Sequence, residues 1–196
     1  FPCNDRPDDK ATYRIELTAA NPYHVVANGV CTSQWRSAST TRWVYEQHEP
    51  MATYLATVQI GRYVVHPVAG ASVPMTAVLP QSLLPRYDRA FGRQPEMLDF
   101  YARLFGPYPF AGYTVVITED ELDIPLEAQG MSTFGSNFLT SDWDNVRLVA
   151  HEHRIVTLVL AAVECERRQP RERCRLAAQL DHDRWRCLRR HEQEAV

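Results

Sequence analysis

The sequence predicts an α+β chain, with an antiparallel, β-rich first part and a second part in which helices join strands. Two patterns carry this reading. From Lys10 to about Val78, short segments alternate apolar and polar residues and are broken by turn formers, the period-two pattern of half-buried strands. After Pro80 the texture changes. Arg89, Phe91, Met97, Leu98, Tyr101, Leu104 and Phe105 recur at roughly helical spacing up to a stop at Gly106-Pro107. A hydrophobic content of 45% over 196 residues suffices to bury a core in one large domain or two small ones.

In the first part, Tyr13, Ile15 and Leu17 alternate, followed by Val25-Val26 and Trp43-Val44-Tyr45. Tyr54 to Ile60 is the strongest strand candidate, rich in β-branched and aromatic types and closed by Gly61. Asn28-Gly29 reads as a hairpin turn. Five or six such strands suggest an antiparallel sandwich or its remaining half. In the second part, Tyr113 to Ile117 reads as a buried strand and Ser132 to Phe134 as another. A helix is expected to follow, opened by the capping-box pair Ser141 and Asp144 and carried by Val146, Leu148, Val149 and Ala150.

A net charge of −3 gives no reason to expect a polyanionic partner, so nucleic acid is not expected. The apolar run Ile155 to Val163 is about half of what a bilayer-spanning helix needs, and no membrane is expected either. Cys3, Cys31, Cys165, Cys174 and Cys187 are odd in number and widely spaced, which fits free thiols and a cytoplasmic location. The start at Phe1-Pro2-Cys3, without an initiator Met, reads as a piece cut from a longer protein. From Glu164 to Val196 nine of the chain's arginines accompany seven acidic residues and few large apolar side chains. This reads as a solvated, partly helical or disordered tail; a basic nucleic-acid arm is the sharper alternative, and the acidic residues cancel most of its charge.

The main chemical signal is Leu148-Val149-Ala150-His151-Glu152, because His-Glu on an apolar-flanked helix opens the metalloprotease pattern His-Glu-x-x-His. Two histidines four apart share a helix face and bind zinc, while the glutamate between them takes a proton from metal-bound water. Here the fourth residue after His151 is Ile155, which cannot ligate. His153 is two residues from His151, about 200° around a helix, and is a doubtful substitute. Taken alone, a helical His-Glu pair most often faces solvent and binds nothing. The acidic run Glu119, Asp120, Glu121 and Asp123 reads as a solvated loop, with calcium as its sharper alternative.

Several ordered blocks share one resemblance: Phe1-Pro2-Cys3-Asn4-Asp5-Arg6-Pro7, Lys10-Ala11-Thr12-Tyr13, Val26-Ala27-Asn28-Gly29, Glu49 to Leu55, Phe105 to Phe110, Pro125 to Gly130 and Leu148 to Glu152. With these, the chain resembles the aminopeptidase N type of gluzincin zinc metallopeptidase, in particular the bacterial membrane alanyl aminopeptidase branch, from Phe1 to Glu152. The resemblance implies part of an amino-terminal β-sandwich over residues 1–79, the opening of a thermolysin-like catalytic domain over 80–163, and a divergent tail over 164–196. It implies peptide amino termini as partners and zinc as the family's cofactor.

Within that resemblance, Leu126-Glu127-Ala128-Gln129-Gly130 is similar to the family's exopeptidase motif Gly-x-Met-Glu-Asn. Glu127, Ala128, Gln129 and Gly130 are therefore the implied substrate-binding residues, with Glu127 gripping the substrate's free α-amino group; read without the family, Glu127 is a partner in a surface ion pair. His151 is the implied first zinc ligand and Glu152 the implied general base. The implied third ligand falls at Cys174, with Glu172 two residues off, and the chain ends before the family's catalytic tyrosine. A catalytic zinc needs three protein ligands, so zinc binding should be weak or absent and the chain inactive as a peptidase. A separate chain supplying the missing part of the catalytic domain is an implied partner. The alternative reading is a non-catalytic peptide- or protein-binding module.

Overall fold

The computed structural model describes residues 2–140 and 148–150. The first strands are β1 (Lys10–Ala20), β2 (His24–Ala27), β3 (Val30–Arg36), β4 (Thr40–Ala52) and β5 (Val58–Gly61). β4 lies between β1 and β3 in an antiparallel three-stranded sheet, and β2 pairs with β5 in a separate two-stranded sheet. Alternation decides which face is covered. Ile15 lies opposite Tyr45 and Leu17 opposite Trp43, and this row packs on Val25 and Ala27 of β2. The Tyr45 hydroxyl donates to the Val25 carbonyl at 2.8 Å, which joins the two sheets. The other face carries Arg14, Glu16, Arg42 and Glu46, with Glu16 paired to both arginines. The Arg42 guanidinium holds the Glu16 carboxyl below its ordinary value, but pairs this exposed contribute little stability.

A mixed sheet follows, built from β6 (Tyr63–Val68), β7 (Met75–Pro80), β8 (Tyr113–Ile117), β9 (Leu126–Ala128) and β10 (Met131–Phe134) in the order β6-β7-β8-β10-β9. β7, β8 and β10 run parallel, and the edge strands β6 and β9 are antiparallel to their neighbours. Parallel strands are stable when both faces are covered, and the sequence meets that need with continuous apolar runs. Val115, Val116 and Ile117 are all fully buried. One face, with Val78, Val116, Ala128 and Met131, packs on Val26 of β2. On the other, Phe134 meets Phe91 edge to face at 4.9 Å. Phe91 ends α1 (Leu84–Phe91), which with α2 (Gln94–Phe105) connects β7 to β8. Each helix has a proline in its first positions, where the fixed φ suits a helix start.

The described residues include none of a helix long and apolar enough to cross a membrane. Four sequence expectations are revised. Asn28-Gly29 is not a hairpin turn, because β2 and β3 belong to different sheets. The segment Tyr54 to Ile60 is a strand only from Val58; Thr53–Leu55 is a short 3₁₀ turn. The helical stretch after Pro80 is two helices, separated at Gly92-Arg93. The mixed sheet takes its first two strands from before the texture change at Pro80, which marks a switch from strand to helix. Leu148 to Ala150 are helical, as expected. Ser141, Asp144, His151, Glu152, His153, Ile155, Cys174, Glu172 and the tail over 164–196 lie outside the described residues.

Candidate functional site

The segment Leu126-Glu127-Ala128-Gln129-Gly130 forms the edge of the mixed sheet and the turn that follows it. Pro125 is buried, and Leu126–Ala128 is short enough to be held by β10 alone, with Glu127 opposite Ser132 and Ala128 opposite Met131. Alternation then divides the roles. Glu127 shares a face with Ser132 and is half-buried, while Ala128 turns to the opposite face and joins the core with Met131 and Val116. Next to Glu127, the Ser132 hydroxyl is fully buried and accepts from the Tyr113 hydroxyl at 2.7 Å. Ile124 and Leu126 beside it are 67% and 52% exposed, leaving an apolar margin on the sheet edge.

Gln129 and Gly130 close the turn. Gly130 has φ +74°, the left-handed region that a turn of this kind assigns to glycine at its second position, and its carbonyl accepts from the Thr114 amide at 2.9 Å. Gln129 is buried and its side chain points into the protein, donating to the Glu49 carbonyl at 3.2 Å. Its own carbonyl accepts from Asn28 at 3.1 Å. Among the four implied substrate-binding residues, the structure therefore brings Glu127 to the surface and keeps the side chains of Ala128 and Gln129 inside. Asn28 was missed as a member of this assembly. Its signal, an Asn-Gly pair following an apolar strand, is the same one that suggested a hairpin.

Behind the turn lies a cleft of about 200 Å³, bounded by Asn28, Glu49, Phe110, Gly112 and Gly130. Glu127 is not part of its wall. Gln47 donates to the Glu49 carboxylate at 2.9 Å and to its carbonyl at 3.0 Å. Burial raises the Tyr108 phenol well above its ordinary value, Tyr113 and Glu49 add to the effect, and the phenol stays protonated. The acidic residues 119–123 are organised by hydrogen bonds to their backbone: Asn137 accepts from the amide of Leu122 and donates to its carbonyl, and Ser136 donates through its hydroxyl to the Glu119 carbonyl and through its amide to the Asp120 carbonyl. Among the described residues no group of three or more His, Cys, Asp or Glu stands where it could hold a metal ion.

Residues 1–55 match the Peptidase M1 N-terminal domain. Leucine aminopeptidase 2 of Neurospora crassa is 26% identical over 155 residues, covering 78% of this chain and 23% of that protein. Leucine aminopeptidase 2 of Coccidioides immitis is 27% identical over 157 residues, covering 78% and 25%. The crystal structure of an M1 zinc metallopeptidase from Deinococcus radiodurans matches with a TM-score of 0.64 at 25% identity, over 78% of this chain and 35% of that one. Together these likenesses support an aminopeptidase N-type gluzincin, matched here over part of its length. A two-domain M1 zinc metallopeptidase bound to L-arginine matches at a TM-score of 0.65 and 25% identity, over 78% and 36% of the two chains. The chain thus spans about a quarter of the length of the curated relatives it matches. Zinc is the metal of this family. Among the described residues no three potential ligands come together, and in the sequence Ile155 stands four after His151, both outside those residues.

Proposed function

We propose that the chain is a partial zinc-dependent aminopeptidase that keeps the peptide-end recognition of its family and lacks its hydrolytic centre. The observation that carries this reading is Glu127 on edge strand β9, half-buried and beside an open apolar margin, in the motif that the family uses for a free α-amino group. A half-buried carboxylate at a sheet edge can accept charge-assisted hydrogen bonds from an ammonium. In this reading residues 1–79 carry the remaining sandwich and also supply β6 and β7 to the mixed sheet, 80–163 open a thermolysin-like catalytic domain with His151 and Glu152 as zinc ligand and base, and 164–196 are a divergent tail. A cytoplasmic location belongs to the same proposal; the exposed free thiols Cys3 and Cys31 support it.

The test is zinc per purified chain by elemental analysis, together with hydrolysis of an alanyl or leucyl chromogenic amide. The expected result is less than stoichiometric zinc and no turnover. One zinc per chain with chelator-sensitive release of the chromophore would sink the proposal. Replacing Ile155→His should raise zinc affinity without restoring turnover, because a third ligand is still wanting. The exposed margin of Ile124 and Leu126 also favours a second reading, a non-catalytic module that binds peptides or proteins. That reading predicts affinity unchanged by chelator and equal for free and acetylated amino termini.

A further inference from the structure

We infer that Asn28 and Gln129 are positioning residues for Glu127, forming a side-chain lock that fixes the amino-terminus-binding edge against the first part of the chain. The inference rests on the proposed role of Glu127. Asn28 is 1% exposed and uses both ends of its carboxamide. Its Oδ1 accepts from the Thr57 amide at 2.7 Å, and its Nδ2 donates to the carbonyls of Leu55 at 3.2 Å and of Gln129 at 3.1 Å. Gln129 then donates through Nε2 to the Glu49 carbonyl at 3.2 Å. Two buried side chains thus tie the turn after Glu127 to the end of β4 and to the stretch before β5. These partners lie 80 and 101 residues away in sequence.

The lock matters because little else holds the edge. β9 pairs with β10 over three residues and has no strand neighbour on its other side among the described residues. Strand ends with so few backbone bonds open at low free-energy cost. A carboxylate on such an edge meets an ammonium with useful geometry only if its backbone stays in place, and a displacement of about 1 Å can cost a factor of about 100 in a positioned interaction. Gly29 completes the arrangement. Its φ of +86° turns the chain so that Asn28 faces inward, and an added Cβ there would overlap the Glu46 carbonyl.

The experiment uses the full chain and two probes, the tripeptide Leu-Ala-Ala amide and its amino-acetylated form, with dissociation constants read by calorimetry. The readout is the ratio of the acetylated to the free constant, which reports the amine contact and which a loss of global stability does not move. The wild-type ratio should be at least about tenfold, the scale of a charged hydrogen bond, and Glu127→Gln should bring it to about one. Asn28→Asp keeps the acceptor for Thr57 and replaces the donor to Gln129 and Leu55; Gln129→Met removes only the bond to Glu49. Each should lower the ratio at least about threefold while affinity for the acetylated peptide stays the same. An unchanged ratio in either variant, folded by its amide spectrum, overturns the inference while Glu127→Gln still abolishes the preference. Loss of fold in both variants also overturns it, leaving these residues a purely structural part. A wild-type ratio of one, unaffected by Glu127→Gln, is the separate pattern by which the reading of Glu127 fails and takes the inference with it.

Discussion

The two larger sheets among the described residues, one of three long strands and one of five short ones, solve the problem of burial in opposite ways. In the mixed sheet, β10 is buried at all four positions and β8 at four of five. In the first sheet, β3 is exposed at six of its seven positions, and β1 has no fully buried residue. The difference follows from pairing. Parallel central strands are covered on both faces, here by β2 on one side and α1 on the other, whereas the antiparallel sheet keeps one face for charged residues. The comparison teaches where Glu127 obtains its rigidity. β9 hangs on the rigid sheet by three residue pairs, and the lock through Asn28 reaches back to the looser part of the chain.

The largest expected effect is in the mixed core. Phe134 is fully buried between Phe91 and Phe138, so Phe134→Ala should lower the unfolding free energy by about 3–5 kcal/mol. The matched change in the first sheet, Leu17→Ala, removes a half-buried side chain and should cost about 1–2 kcal/mol. Urea titrations of both variants measure the gap. Equal losses would mean that the two sheets share one cooperative core and would break the contrast.

Between these two effects stands Gly29→Ala. Its left-handed backbone disfavours any side chain by about 1–2 kcal/mol, and the Glu46 carbonyl occupies the place of a Cβ, so a loss of at least about 2 kcal/mol is expected. Asn28→Gly at the neighbouring position removes the lock without a clash. A similar loss in the two variants would place the cost in the hydrogen bonds, and a much larger loss in Gly29→Ala would place it in backbone strain.

Which parts were legible follows from the range of the forces involved. The strands at Tyr113 to Ile117 and Ser132 to Phe134 could be read because continuous apolar runs report burial on both faces, a property of the segment itself. Tyr54 to Ile60 has stronger β propensity but forms a strand only over its last part. The Leu55 carbonyl and the Thr57 amide, which a ladder would need, are bonded to the Asn28 side chain. The same long-range contact misled the reading of Asn28-Gly29, since nothing local distinguishes a hairpin turn from a turn between two sheets. The break at Gly92-Arg93 escaped because the buried Gln94, bonded to the Tyr87 hydroxyl at 2.9 Å, has the polarity of a surface residue. Glu127 is proposed on its motif; read without the family it is a partner in an ion pair, and no ion-pair partner for it occurs among the described residues.

The smallest effect separates the sheets by pH. His24 opens β2 and packs edge to face on Trp43 at 5.6 Å, and partial burial lowers its pKa from 6.5. The folded chain therefore favours neutral His24, and the unfolded chain takes up the proton first as pH falls. Its contribution is fully present above about 6.5 and is lost as pH falls from there through the lower folded value. The lowered carboxyls of Asp8, Glu16 and Asp99 give up their contributions only in more acid solution, below the ordinary carboxylate range. Urea midpoints of wild type and His24→Gln between pH 7 and about 5 should converge toward the acid end. The difference between the two proteins cancels the remaining histidines. Parallel curves would show that the Trp43 contact tolerates a charged imidazole, and that the first sheet is wetter around β2 than its buried valines indicate.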